Sequence, residues 1–153
     1  MTGQIVPNLW FNLNAEEAAE YYVSVFENSR IISKEYYPKE DEALLDFQKD
    51  FAGKVLTVEF ELNGQRFVGI NGGTAFTLSE AVSFMVPCKD QAEIDYYWEK
   101  LSAVPEAEQC GWCKDKFGLS WQIIPANFDE KLKVPGNYQI MMNQHKIVIA
   151  EYN

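Results

Sequence analysis

One short pattern occurs twice in this chain. Asn14-Ala15-Glu16-Glu17-Ala18-Ala19-Glu20-Tyr21-Tyr22 reads like Asp90-Gln91-Ala92-Glu93-Ile94-Asp95-Tyr96-Tyr97-Trp98. In each copy a short polar residue precedes a Glu by three places, and a pair of large aromatics follows. That is the arrangement of a capping box, in which the first side chain closes a helix N-terminus and the Glu reaches back to it. Each cap follows a strand-like run, Ile5 to Phe11 or Ala81 to Cys88, and further strand-like runs come after each helix. The sequence therefore predicts two copies of one β-α-β-β-β unit. A unit of that size cannot bury both faces of its own sheet, so two copies are expected to pack around shared space. Residues 1–73 form the first unit, 80–126 the second and 127–153 a C-terminal segment, all within one domain.

The first helix is expected from Ala15 to Glu27 and the second from Gln91 to about Ser102. Ala18, Tyr22, Val25 and Phe26 share a face of the first, and Ile94, Tyr97, Trp98 and Leu101 a face of the second. Arg30 to Tyr37 reads as a strand stopped by Pro38. Lys54 to Leu62 and Gln65 to Asn71 read as a hairpin, because Asn63-Gly64 is a strong two-residue turn signal. Between them, residues 39–53 form a charged insertion with Leu44, Leu45, Phe47 and Phe51 interspersed, read as a solvated loop with a short helix. In the second unit two short strands are expected around Glu108 to Trp112 and Cys113 to Lys116, then one from Leu119 to Pro125. The segment from Asn137 to Tyr152 reads as helical.

Composition bounds the function. Hydrophobic residues are 47% and aromatics 14%, too many for a disordered chain, while a net charge of −10 argues against nucleic acid or an anionic membrane as partner. No apolar run is long enough to span a bilayer, and the start Met1-Thr2-Gly3-Gln4 lacks a signal-peptide pattern. Three cysteines, Cys88, Cys110 and Cys113, fit reduced thiols in a cytoplasmic protein.

Motif chemistry is sparse. Cys110-Gly111-Trp112-Cys113 is a C-x-x-C, but a turn and a strand follow it instead of the helix that would activate a redox dithiol. His145 is the only histidine and lies in the tail, and there is no Gly-x-Ser-x-Gly elbow. Gly72-Gly73 is followed by neither a helix nor Gly-Lys-Ser/Thr, and no G-x-G-x-x-G exists, so no nucleotide, dinucleotide or methyl-donor loop is read.

The repeat, with Ile5 to Phe11, Gly69 to Gly73, Ser83 to Val86, Cys110 to Trp112 and Asp115 to Pro125, closely resembles the PhnB-like family. That family belongs to the glyoxalase/bleomycin-resistance/dioxygenase, or vicinal oxygen chelate, superfamily, and often carries the label 3-demethylubiquinone-9 3-methyltransferase. The resemblance implies an α+β fold of two βαβββ modules forming a cup-shaped sheet. In metal-dependent members four His, Gln or Glu ligands come from the first and last strands of each module. The matching positions here fall near Pro7 or Asn8, Gly69, Ser83 and Gln122, a poor set for a transition metal.

The same alignment, with strand alternation, implies that Leu9, Phe11, Phe67, Asn71, Ser83, Met85, Ser120, Gln122 and Ile124 face the cup, and that Phe84, Val86, Trp121 and Ile123 face the helices. The expected ligand cavity comprises Phe11, Phe67, Asn71, Ser83, Met85, Trp112, Ser120 and Gln122. It is an apolar cup with neutral polar groups, suited to binding a small organic molecule without metal or cofactor. A homodimer is expected. The alternatives are an enzyme recruiting Cys110, Trp112, Asp115 or Gln122, or a metal-dependent lyase or dioxygenase with an atypical ligand set.

Overall fold

The computed structural model describes residues 1–153, the side chain of Asp41 excepted. The chain divides into two compact units, Met1–Leu78 and Ser79–Asn153.

The first unit runs β1 (Asn8–Phe11), α1 (Ala15–Val25), β2 (Arg30–Tyr36), β3 (Val55–Leu62) and β4 (Gln65–Asn71). Its four strands form one sheet in the order β1-β4-β3-β2. β1 lies parallel to β4, and the other pairs are antiparallel. The hairpin turn falls on Asn63-Gly64, whose φ angles of 45° and 86° are the left-handed pair a two-residue turn requires. It sets the register Leu62↔Gln65, Phe60↔Phe67 and Val58↔Gly69. β2 is an outer strand, and its pairing is irregular between Ile31 and Ser33 and between Glu35 and Tyr36. The insertion before β3 holds two 3-10 turns, Asp41–Ala43 and Asp46–Phe51.

The core of this unit lies between α1 and one sheet face. Ala15, Ala18, Ala19, Tyr22 and Val25 are buried on the helix, against Val58, Phe60 and Phe67. The Phe60 and Phe67 rings stack at 5.5 Å, and Tyr22 lies 6.1 Å from Phe60. The expected capping box at Asn14 does not form, since its side chain makes no cap hydrogen bond. The Ala15 N–H donates instead to Asn71 Oδ1 at 2.9 Å, 56 residues along the chain. At the other repeat the cap is local: Glu93 N–H donates to Asp90 Oδ1 at 3.0 Å. Glu93 returns to Lys89 N–H at 2.8 Å, one residue earlier than a capping box would have it.

The second unit runs β5 (Ser83–Cys88), α2 (Gln91–Leu101), β6 (Trp112–Lys114), β7 (Ser120–Pro125), α3 (Phe128–Leu132) and α4 (Asn137–Asn143). Its sheet has three strands, in the order β5-β7-β6. One strand fewer forms than the repeat predicts. Gln109 and Trp112 make only an isolated bridge around a tight turn at Cys110-Gly111. The stretch after α4 is irregular and closes with a 3-10 turn, Ile149–Glu151. The Gln91 side chain fixes it beside α2, donating to Ile147 O at 3.0 Å and accepting from Ile149 N–H at 2.8 Å.

Candidate functional site

In the second unit α2 packs against β5, β6 and β7. Val86, Cys88, Cys113, Trp121 and Ile123 are buried, and Phe84 meets Trp121 at 6.0 Å. Alternation then turns the other residues to the opposite face. The register aligns Ser83 with Ser120 and Lys114, and Met85 with Gln122 and Trp112, in two adjacent rows across three strands. The Gln122 amide donates to Ser83 Oγ at 2.8 Å. Met85 is 59% exposed, so this face is open beside the amide. Ser120 is buried, and its Oγ has no hydrogen-bond partner among the described residues. Lys114 pairs with Glu80, and its ammonium holds the Glu80 carboxyl below the usual range, chiefly through the hydrogen bond between them. The structure thus gathers Ser83, Met85, Trp112, Ser120 and Gln122 on one face.

The first unit turns the other way from the expectation. Leu9, Phe11, Phe67 and Asn71 are buried on the face that α1 covers. A Cβ placed on Gly69, in the same alternation as Phe67 and Asn71, would lie 3.2 Å from Ala15 Cβ and 3.4 Å from the Phe11 ring. Asn71 is engaged within the unit: its Oδ1 accepts from Ala15 N–H, its Nδ2 donates to Val55 O at 3.1 Å, and its main-chain carbonyl accepts from Tyr37 Oη at 2.6 Å. The physical reason is the hairpin register. A two-residue turn fixes Phe67 opposite Phe60, and Phe60 belongs to the buried alternation Val58, Phe60, Leu62. The opposite face mixes apolar and charged side chains, with Trp10, Val68 and Ile70 alternating onto it beside Glu59 and Arg66. Arg66 pairs with Glu59 there, and Arg30 with Glu61 at 3.1 Å. Trp10, which is not among the residues of the expected cavity, also lies on that face. Its Nε1 donates to Gly73 O at 3.0 Å and its ring meets Phe76 at 4.8 Å. The signal that locates these residues was available in the hairpin arithmetic.

Residues 3–124 match the family described as 3-demethylubiquinone-9 3-methyltransferase. A PhnB protein from Bacillus cereus described by the same name is 32% identical, with 80% of this chain and 99% of that one covered and a TM-score of 0.62. The chain belongs to the PhnB-like family. Protein PA1353 from Pseudomonas aeruginosa is 18% identical over 81% of this chain and 98% of its own, with a TM-score of 0.57, a likeness of fold alone. None of the curated proteins matches the chain.

In this PhnB-like chain the reactive side chains are mostly committed elsewhere. Asp115 is buried and serves as an anchor. Its Oδ1 accepts from Phe117 N–H at 2.8 Å and Leu119 N–H at 3.1 Å, and its Oδ2 from Trp121 Nε1 at 2.8 Å. Cys113 and Cys88 are buried, which pushes both thiols up to about 12. Cys110 sits in the left-handed region at φ 53°, in a turn and not at a helix N-terminus. His145 is exposed.

A transition metal does not fit. Among the described residues no three His, Cys, Asp or Glu side chains lie together to hold one. Of the positions the superfamily pattern implies, Gly69 points at α1 and lacks a donor. Ser83 and Gln122 offer a hydroxyl and a neutral amide, already bonded to each other. Such groups are weak ligands for zinc, iron or nickel.

Proposed function

We propose that this PhnB-like protein binds a small organic molecule, without a metal, on the open face of its second sheet. The observation that carries the reading is the Gln122–Ser83 hydrogen bond beside Trp112 and the exposed Met85. An amide can both donate and accept, so Gln122 can orient a ligand that the aromatic and thioether groups cover. The resemblance to the vicinal oxygen chelate superfamily supports a site on the first and last strands of the module, here β5 and β7. The reading extends to a cytoplasmic homodimer, supported by the exposed Leu45, Phe47 and Phe76 and by open sheet edges. Among the described residues no helix is long and apolar enough to cross a membrane.

Native mass spectrometry of freshly purified protein, with elemental analysis, tests the reading. We expect a dimer without stoichiometric transition metal, and a melting temperature that chelator leaves unchanged. One tightly bound equivalent of metal would refute the metal-free reading. In a thermal-shift screen of small metabolites, hits on the wild type should weaken by about 1–2 kcal/mol in Gln122→Leu, as for a lost buried neutral hydrogen bond. Hits of equal affinity in both proteins would remove Gln122 from the site.

A further inference from the structure

The row next to Gln122 has a chemistry of its own. Ser83, Ser120 and Lys114 stand in register on β5, β7 and β6. Ser120 is 1% exposed, and its Oγ is the one buried side-chain oxygen or nitrogen among the described residues with no hydrogen-bond partner. A buried hydroxyl without a partner is unfavourable, so its presence in a sheet needs a reason. Ser83 Oγ accepts from Gln122, which leaves its own O–H as a donor. Lys114 completes the row with an ammonium whose side chain is 25% exposed.

A carboxylate already meets this row. Glu80, from the segment just before β5, pairs with Lys114 and is itself 55% exposed at its side chain. Two hydroxyl donors and an ammonium in line match the acceptor-only oxygens of a carboxylate. The neighbouring row supplies apolar contact from Trp112 and Met85. A chain of net charge −10 repels anions at a distance, so recognition must come from donors at contact.

We infer that the ligand of this face is a small organic acid, its carboxylate held by the Ser83 and Ser120 hydroxyls and the Lys114 ammonium in competition with Glu80. The inference rests on reading this face as the ligand site. It adds the ligand's chemical class and a residue of the chain that competes for the same cation.

The test uses the full chain and benzoate as probe, with benzamide as its neutral counterpart and inorganic phosphate as a bare anion, followed by amide shifts in NMR titrations. Benzoate should bind saturably at β5, β6 and β7, about tenfold tighter than benzamide, as for a hydrogen bond to a charged group. Ser120→Ala and Lys114→Gln should each weaken benzoate severalfold, and Glu80→Gln should tighten it. Without ligand, Ser120→Ala should melt no lower than the wild type, because no hydrogen bond of the chain is lost. A lower melting temperature would mean that the hydroxyl is structural and would overturn the inference. Benzamide binding as tightly as benzoate, and lost in Gln122→Leu, would overturn the acid while sparing the ligand face. Phosphate binding as tightly as benzoate would reduce the row to a general anion contact. No saturable shift with either aromatic probe would remove both readings.

Discussion

Asn71 allows a quantitative test of how the first unit is held. Its side chain satisfies the Ala15 N–H at the start of α1 and the Val55 carbonyl of β3, and it is 3% exposed. Asn71→Leu keeps the approximate volume and removes both bonds, so the cavity contribution is small. Each buried backbone group left unpaired costs about 1–3 kcal/mol, and the helix cap is part of that sum. The expected loss is about 3 kcal/mol, which lowers the melting temperature by about 6–12 °C for a chain of this size. Asn71→Asp keeps an acceptor for Ala15 N–H at the positive helix end but sets a buried carboxylate oxygen against the Val55 carbonyl, so it should cost at least as much as Leu while keeping the local bond to Ala15. Urea denaturation followed by circular dichroism gives the energies. Amide hydrogen exchange at Ala15 gives the local reading, with protection lost in Asn71→Leu and retained in Asn71→Asp. A Leu variant within about 1 kcal/mol of wild type, with Ala15 still protected, would refute the reasoning, since the net worth of one ordinary hydrogen bond is already that large.

Three further outcomes are expected. A thiol reagent at pH 8 should modify one cysteine quickly, Cys110, while Cys88 and Cys113, both pushed up to about 12 by burial, react only on unfolding; rapid modification of two or three thiols would contradict this. Gly72→Ala should destabilise by about 1–3 kcal/mol through overpacking, because the added Cβ would lie 2.1 Å from the Trp10 ring and displace its bond to Gly73 O; wild-type stability would show that the indole has room to move. Asp95 is held below its ordinary range chiefly by the hydrogen bond from Lys146, so its contribution to stability is present above the unfolded carboxyl value and is lost as pH falls through the folded one. Lys146→Gln should therefore flatten acid unfolding below the ordinary carboxylate range, and an unchanged acid limb would argue that the pair is absent in solution.

Much of this fold is legible in the sequence because its signals are local. The cap at Asp90, the turn at Asn63-Gly64 and the alternation in β3 each lie within a few residues, and the elements form where those signals place them. The cap of α1 was not legible, because its acceptor, Asn71, sits 56 residues away. The facing of β4 was missed for a different reason. Phe67 and Asn71 alternate with Val68 and Ile70, and both sets include apolar residues, so periodicity within the strand says nothing. Only the register across the turn decides it. In the second unit Trp121 and Ile123 against Ser120 and Gln122 separate the two faces clearly, and there the expected facing is the observed one. The missing strand near Glu108 reflects the tight turn at Cys110-Gly111, which leaves only an isolated bridge where a strand was expected.

β2 has a consequence for how the protein behaves in a crowded solution. An outer strand of seven residues offers a row of unpaired backbone groups on which another chain could build. Its two irregularities in pairing break the flat repeat that such growth needs. Arg30, Lys34 and Glu35 place charge along it, with Arg30 and Lys34 already drawn to Glu61 and Glu16. An approaching strand would have to lie along that charge and match a bent partner. β2 therefore ends the sheet in a form that discourages fibrous aggregation through this edge.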